Sequence, residues 1–131
     1  MSVGKIVKST LSLTCPRCHE GKVLKSSPYD FKNLGEVNTH CSHCGLKYSR
    51  EPGFFFGAAY VSYAITIAFA TAVVVLGALA KYLLWAEITW YQILAAVVIV
   101  LVLLFPLAYA LSRVLWINFF VKYDPEKRGE N

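Results

Sequence analysis

Cys15-Pro16-Arg17-Cys18 and Cys41-Ser42-His43-Cys44 form two CxxC pairs separated by 22 residues. A CxxC pair closes a tight turn that aims both sulfurs at one point. Two such turns build the tetrahedral four-thiolate cage that zinc accepts at about 2.3 Å per bond. The separation slightly exceeds the usual spacing of about 15–20 residues between the pairs of a zinc site, and ribbons tolerate insertions between their knuckles. Gly45 follows the second pair and permits the left-handed backbone that a knuckle often needs. His19 follows the first, and histidine is among the non-glycine residues enriched at positive φ. Cys15, Cys18, Cys41 and Cys44 are the expected ligands, and a structural zinc ion is the expected occupant.

Other chemistry fits parts of this pattern. Iron held by the same four sulfurs would make a rubredoxin-like electron carrier. A thioredoxin-like thiol catalyst needs one activated CxxC, and two matched pairs argue against it. Disulfides would suit an oxidising compartment, whereas the topology derived below puts the head in reducing cytosol. His19, His40 and His43 flank the cage. They are able to replace a ligand or pass a transient metal; solvent exposure or a hydrogen bond to the knuckle is the simpler expectation. A four-thiolate zinc centre carries two net negative charges, and Arg17, Lys22 and Lys47 are close enough in sequence to offset them. The same cations suit anionic lipid headgroups. The basic face is too sparse for nucleic acid, which is not an expected partner.

The elements that must position the cysteines are short. Alternating stretches predict strands at Leu11–Thr14 and Lys22–Lys25 around the first knuckle, and at Glu36–His40 and Leu46–Ser49 around the second. Ser26-Ser27-Pro28 and Asn33-Leu34-Gly35 read as turns. The expected head, residues 1–52, is thus a small β-rich zinc-ribbon-like unit. Too small to bury much core, it would take folding energy from the metal.

The rest of the chain is apolar. Hydrophobic residues make up 56% of the 131 and charged residues only 16%, against about 25% in an ordinary soluble domain. Between Gly53 and Leu111 the formally charged residues are Lys81 and Glu87, both in one short gap. Residues 54–80 and 93–111 carry no formal charge, and a helix of about 20 apolar residues crosses a hydrocarbon core. A transmembrane helical hairpin over residues 53–111 is expected, with residues 112–131 forming an interfacial helix end and a charged tail. Two buried helices of a soluble protein would need an apolar shell that the remaining chain cannot supply. Tyr82, Trp85, Trp90 and Tyr91 mark one membrane boundary, and Phe54, Phe55, Phe56, Trp116, Phe119, Phe120 and Tyr123 the other.

Charge asymmetry orients the hairpin. The head carries eight Lys and Arg, the tail four and the gap one, so both termini are expected on the cytoplasmic side of a bacterial inner membrane. Ile6, Val7, Leu11 and Leu13 are too scattered for a secretory h-region. Gly57, Ala64, Ala68, Thr71 and Ala72 form a small-residue stripe suited to close helix packing, against residues 93–111 first and another protein second. Pro106 should bend the second helix. Asp124-Pro125 should end the regular structure, and Glu126–Asn131 reads as a mobile charged tail. Neither span contains an ionisable Asp, Glu, Lys, Arg or His, which argues against a transporter working alone.

CPRCHEGKVL at residues 15–24, CSHCGLKY at 41–48, EPGFFFGAAYVSYA at 51–64 and SRVLWI at 112–117 together resemble a bacterial membrane family known as domain of unknown function 983. The resemblance implies a zinc-ribbon-like head on a helical hairpin, without an established activity. The resemblance also suggests respiratory-complex biogenesis, by association, since some relatives are encoded beside haem–copper oxidase assembly factors. No nucleophile–base pair, carboxylate pair or phosphate-binding loop is recognisable, so neither an enzyme nor a small-molecule substrate is expected. The expected function is an interaction, accessory or assembly subunit that partners the lipid bilayer and a larger membrane complex. Metal handling or sensing by the cysteine cluster is the alternative, and iron-based electron transfer a second one.

Overall fold

The computed structural model describes residues 2–85 and 87–128. Three helices follow one another: α1 at Val3–Leu11, α2 at Phe56–Leu83 and α3 at Trp90–Phe120, with a 3-10 turn at Pro125–Arg128. The chain divides into two compact units, Met1–Ser62 with Pro106–Asn131, and Tyr63–Phe105. The last residues of the expected tail, 129–131, lie outside the described residues.

Helices α2 and α3, of 28 and 31 residues, are long and apolar enough to cross a membrane. Within its most apolar stretch α2 has 0% of its residues buried and α3 22%. The core helix of a soluble protein is mostly buried, so that description does not suit them. Both helices outrun the charge-free windows. Helix α3 in particular continues past Arg113 to Phe120, because Val114 and Ile117 are fully buried there and packing carries the helix on. Pro106 lies inside α3 without ending it.

In the unit Tyr63–Phe105 the two helices pair closely at Gly77, where an added Cβ would meet Ile93 at 3.0 Å. The gap is tied by its own polar groups. Lys81 Nζ donates to the Ile88 carbonyl at 2.8 Å and lies 5.3 Å from the Trp90 ring centre. The Thr89 N–H donates to Gln92 Oε1 at 2.9 Å, one arm of a capping box that starts α3. Along α2 in this unit, Ala64, Ala68, Thr71 and Ala72 are all exposed. The small-residue stripe therefore departs from the first expectation: its own hairpin does not cover these positions.

In the other unit, Gly57 lies so close under Trp116 that a Cβ would overlap the indole, while Trp116 Nε1–H donates to the Phe54 carbonyl at 2.8 Å. Helix α1, which sequence reading missed, ends in a Schellman motif. The N–H of Thr14 reaches the Ser9 carbonyl and the N–H of Leu13 the Thr10 carbonyl, with Leu13 at φ 54. Its buried residue is polar. Ser9 is fully buried and its hydroxyl donates to Asn118 Oδ1 of α3 at 3.0 Å, while Val3, Val7 and Leu11 stay exposed.

The β-rich ribbon is corrected by the structure. Among the described residues there are no strands, only three isolated antiparallel bridges: Thr14 with Lys22, Leu24 with Val37, and His40 with Lys47. The predicted segments do meet in the expected pairs. The Thr14–Lys22 and His40–Lys47 bridges each flank a knuckle and the Leu24–Val37 bridge flanks the 25–36 loop, and none extends into a ladder. The two turns fall as expected, with the Asp30 N–H bonded to the Ser27 carbonyl and the Glu36 N–H to the Asn33 carbonyl. Gly35 takes a φ of 66° in the second and sits against the Tyr109 ring, where no Cβ would fit.

Candidate metal centre

Each knuckle is closed by backbone bonds. The His19 N–H donates to the Cys15 carbonyl at 2.9 Å, and the Gly45 N–H to the Cys41 carbonyl at 3.1 Å. His19 and Gly45 have φ values of 60° and 70°, the left-handed conformation expected of both. The outer bonds are alike, with the first knuckle one residue longer. The Cys15 N–H donates to the Gly21 carbonyl at 2.7 Å and the Cys41 N–H to the Leu46 carbonyl at 2.8 Å. The two turns are near copies of one another, which lets them face each other.

The four sulfurs of Cys15, Cys18, Cys41 and Cys44 all lie within 4.8 Å of one another. Contacts of 3.8 Å between Cys15 and Cys44 and 3.7 Å between Cys18 and Cys41 cross from one knuckle to the other. A tetrahedron with bonds of about 2.3 Å has edges of about 3.8 Å, so the donor set fits a metal ion of zinc's size. All four cysteines are free thiols. Cys15, Cys18 and Cys41 are buried and Cys44 is half-buried.

The cage is part of the core. Cys15, Cys18 and Cys41 pack in one cluster with Val23, Tyr48 and the α3 residues Val114 and Ile117, continuing to Val121 just beyond the helix. Burial pushes the Cys15 thiol well above the usual range, and the neighbouring charge of Cys41 adds to it. Cys44 is likewise raised, first by burial. Burial opposes the Cys41 thiolate too. There the Cys44 N–H, the Tyr48 hydroxyl, the His43 N–H and the Cys18 thiol outweigh it and bring the group down to about 6. Of the shifted thiols, Cys41 is the one whose hydrogen-bond donors favour the thiolate.

Tyr48 was not singled out from sequence, though its place two residues after Leu46 on an inward-facing alternation was a usable signal. It is 1% exposed, and its hydroxyl lies beside the thiols and 3.3 Å from the Lys22 carbonyl, the alternative acceptor for its one proton. Burial keeps it firmly in the neutral, donating form. Gly21 was also missed. A Cβ there would overlap Cys41 Sγ, so only glycine lets the two knuckles approach. The cluster able to hold a metal contains none of the three histidines. The His19 ring stacks near Tyr123 at 4.5 Å, His40 is exposed, and His43 Nδ1 is buried without a hydrogen-bond partner in the described structure.

Residues 31–120 match the family described as protein of unknown function (DUF983), and the chain belongs to that family. The match takes in the second knuckle and both long helices, while Cys15 and Cys18 precede it. Neither the curated proteins nor the solved structures gave a match to the chain.

Proposed function

We propose that this protein is a non-enzymatic, two-span inner-membrane subunit whose head is held together by a structural zinc ion and whose hairpin docks a larger membrane complex. One contrast carries the reading. The thiols are inside, merged with the foot of α3, while the small-residue face of α2 is outside. A site that hands metal on needs exposed ligands, and three of these four are buried. Small residues on a lipid-facing helix let a second backbone approach closely, which favours a protein partner there. The charge distribution favours a cytoplasmic head and tail. A respiratory complex is the partner class that the family resemblance suggests.

The test uses the full chain, purified in mild detergent. Elemental analysis should find one zinc per chain, and mass spectrometry should find a membrane protein in constant ratio. Ala68→Phe on the exposed face should remove that partner and leave the zinc in place. A clean, partner-free species from native membranes would overturn the docking reading. An iron-type visible spectrum would overturn the zinc assignment.

Metal handling remains as a second reading because Cys44 is half-buried and offers an opening to the cage. Rapid exchange with isotopically labelled zinc, with the fold intact, would favour it over the structural role.

A further inference from the structure

Arg113 sits in α3 within SRVLWI, and positive-inside anchoring requires nothing of it beyond its charge. Its surroundings are more specific. The guanidinium carbon lies 5.0 Å from the Phe55 ring centre and 4.7 Å from that of Tyr109, whose hydroxyl accepts a bond from Nη2. With aromatic rings over the guanidinium, the remaining N–H donors are left at its edge.

A cavity of about 360 Å³ opens beside it, lined by Phe54, Phe55, Ala58, Ala59, Tyr109 and Arg113. A second, of about 460 Å³, is also lined by Arg113 and includes Glu36. That carboxylate is taken by Lys25, and among the described residues no ion pair involves Arg113. A half-buried cation in an apolar, aromatic pocket is expensive unless an anion completes it.

We propose that this pocket binds the phosphodiester of an anionic phospholipid, with Arg113 on the phosphate and the Phe54–Ala59 wall against glycerol and the start of an acyl chain. The chemistry matches both halves of the site. A guanidinium fork suits phosphate oxygens, and the side chains of Phe54, Phe55, Phe56, Ala58 and Ala59 that line the wall are all apolar. The pocket lies where α2 begins and α3 has passed Tyr109, the end of the hairpin that carries the basic head. An inorganic phosphate would satisfy Arg113 but leave the apolar wall wet. The proposal rests on the membrane placement above; it does not depend on the metal or on a protein partner.

Native mass spectrometry of the full chain, exchanged into detergent with phosphatidylglycerol, tests it. One retained lipid per chain is expected, with retention about tenfold weaker or less in Arg113→Gln. Ala59→Phe fills the cavity with Arg113 unchanged and should weaken retention similarly. Helix content by circular dichroism and elution as a single species in gel filtration should stay unchanged in both variants, which separates loss of the site from loss of the fold. Millimolar inorganic phosphate should not displace the lipid; displacement would reassign the pocket to a free anion and overturn the proposal. Equal retention by wild type and both variants would also overturn it.

Discussion

The backbone N–H of Asp124 donates to the carbonyl of Arg17 at 3.1 Å, so the chain leaving α3 is stitched to the middle of the first CxxC turn. Arg50, two residues after Tyr48, adds a second tie by donating from Nη2 to the Phe120 carbonyl at 3.3 Å, where the last carbonyls of α3 lack helical partners. The head is therefore not tethered to the hairpin by Glu51–Gly53 alone. It is built around the end of α3.

Cys18 is fully buried in the cage. Cys18→Ser should abolish metal retention and unfold the head, since structural zinc supplies about 10–16 kcal/mol in small zinc domains. Limited proteolysis should then cut between the knuckles, while circular dichroism still shows the long helices. A protease-resistant, metal-free variant would refute this.

Gly21 and Gly45 offer a contrast that touches no ligand. Alanine at 21 would press on Cys41 Sγ, whereas alanine at 45 meets nothing within 4 Å and suffers only from its φ of 70°. Gly45→Ala should cost about 1–2 kcal/mol of stability and keep the metal. Gly21→Ala should lose it. Equal zinc content in the two purified variants would count against the close approach of the knuckles.

Ser9 and Asn118 form a buried polar pair that pins α1 to α3. Asn118 also donates from Nδ2 to the Val114 carbonyl at 2.9 Å. Ser9→Ala should cost about 0.5–1.5 kcal/mol and Asn118→Ala about 1–3, with clear non-additivity in the double variant. Denaturant unfolding of the head, followed by protease sensitivity, measures all three. Simple additivity would mean that the two side chains do not act together.

Acid should release the metal. Burial raises the Cys15 and Cys44 thiols, so each holds its proton more tightly than an exposed thiol and must give it up on loading. Apparent affinity should therefore climb through neutral pH and go on climbing above about pH 8, because the raised Cys15 and Cys44 thiols are still protonated there. Competition with a chromophoric chelator reads the slope. An affinity independent of pH over that range would mean that loading displaces no protons.

Sequence spacing was enough to find the cage because four cysteines in matched turns have few other uses, and Gly45 and His19 already carried the backbone signature. The apolar helices were legible from missing charge. Their ends were not, because Arg113 looks like an exit while Val114 and Ile117 hold the helix in the core. Helix α1 escaped for the opposite reason. Val3, Val7 and Leu11 have helical spacing, but they point outward and the buried contact is a serine. The strands were over-read. Alternation at 22–25 and 36–40 located the right neighbours but carried no information about how soon each pairing ends.

The placement of Val114 and Ile117 beneath the thiols has a consequence for biosynthesis. Tyr48 leaves the ribosome 66 residues before Val114 (114 − 48), and both apolar helices are made mostly in that interval. At about 5–20 residues per second Tyr48 waits roughly 3–13 s for its floor to arrive, and the cysteines before it wait longer. The cysteine segment is made before the long helices, yet its core is complete only once the end of α3 has been made.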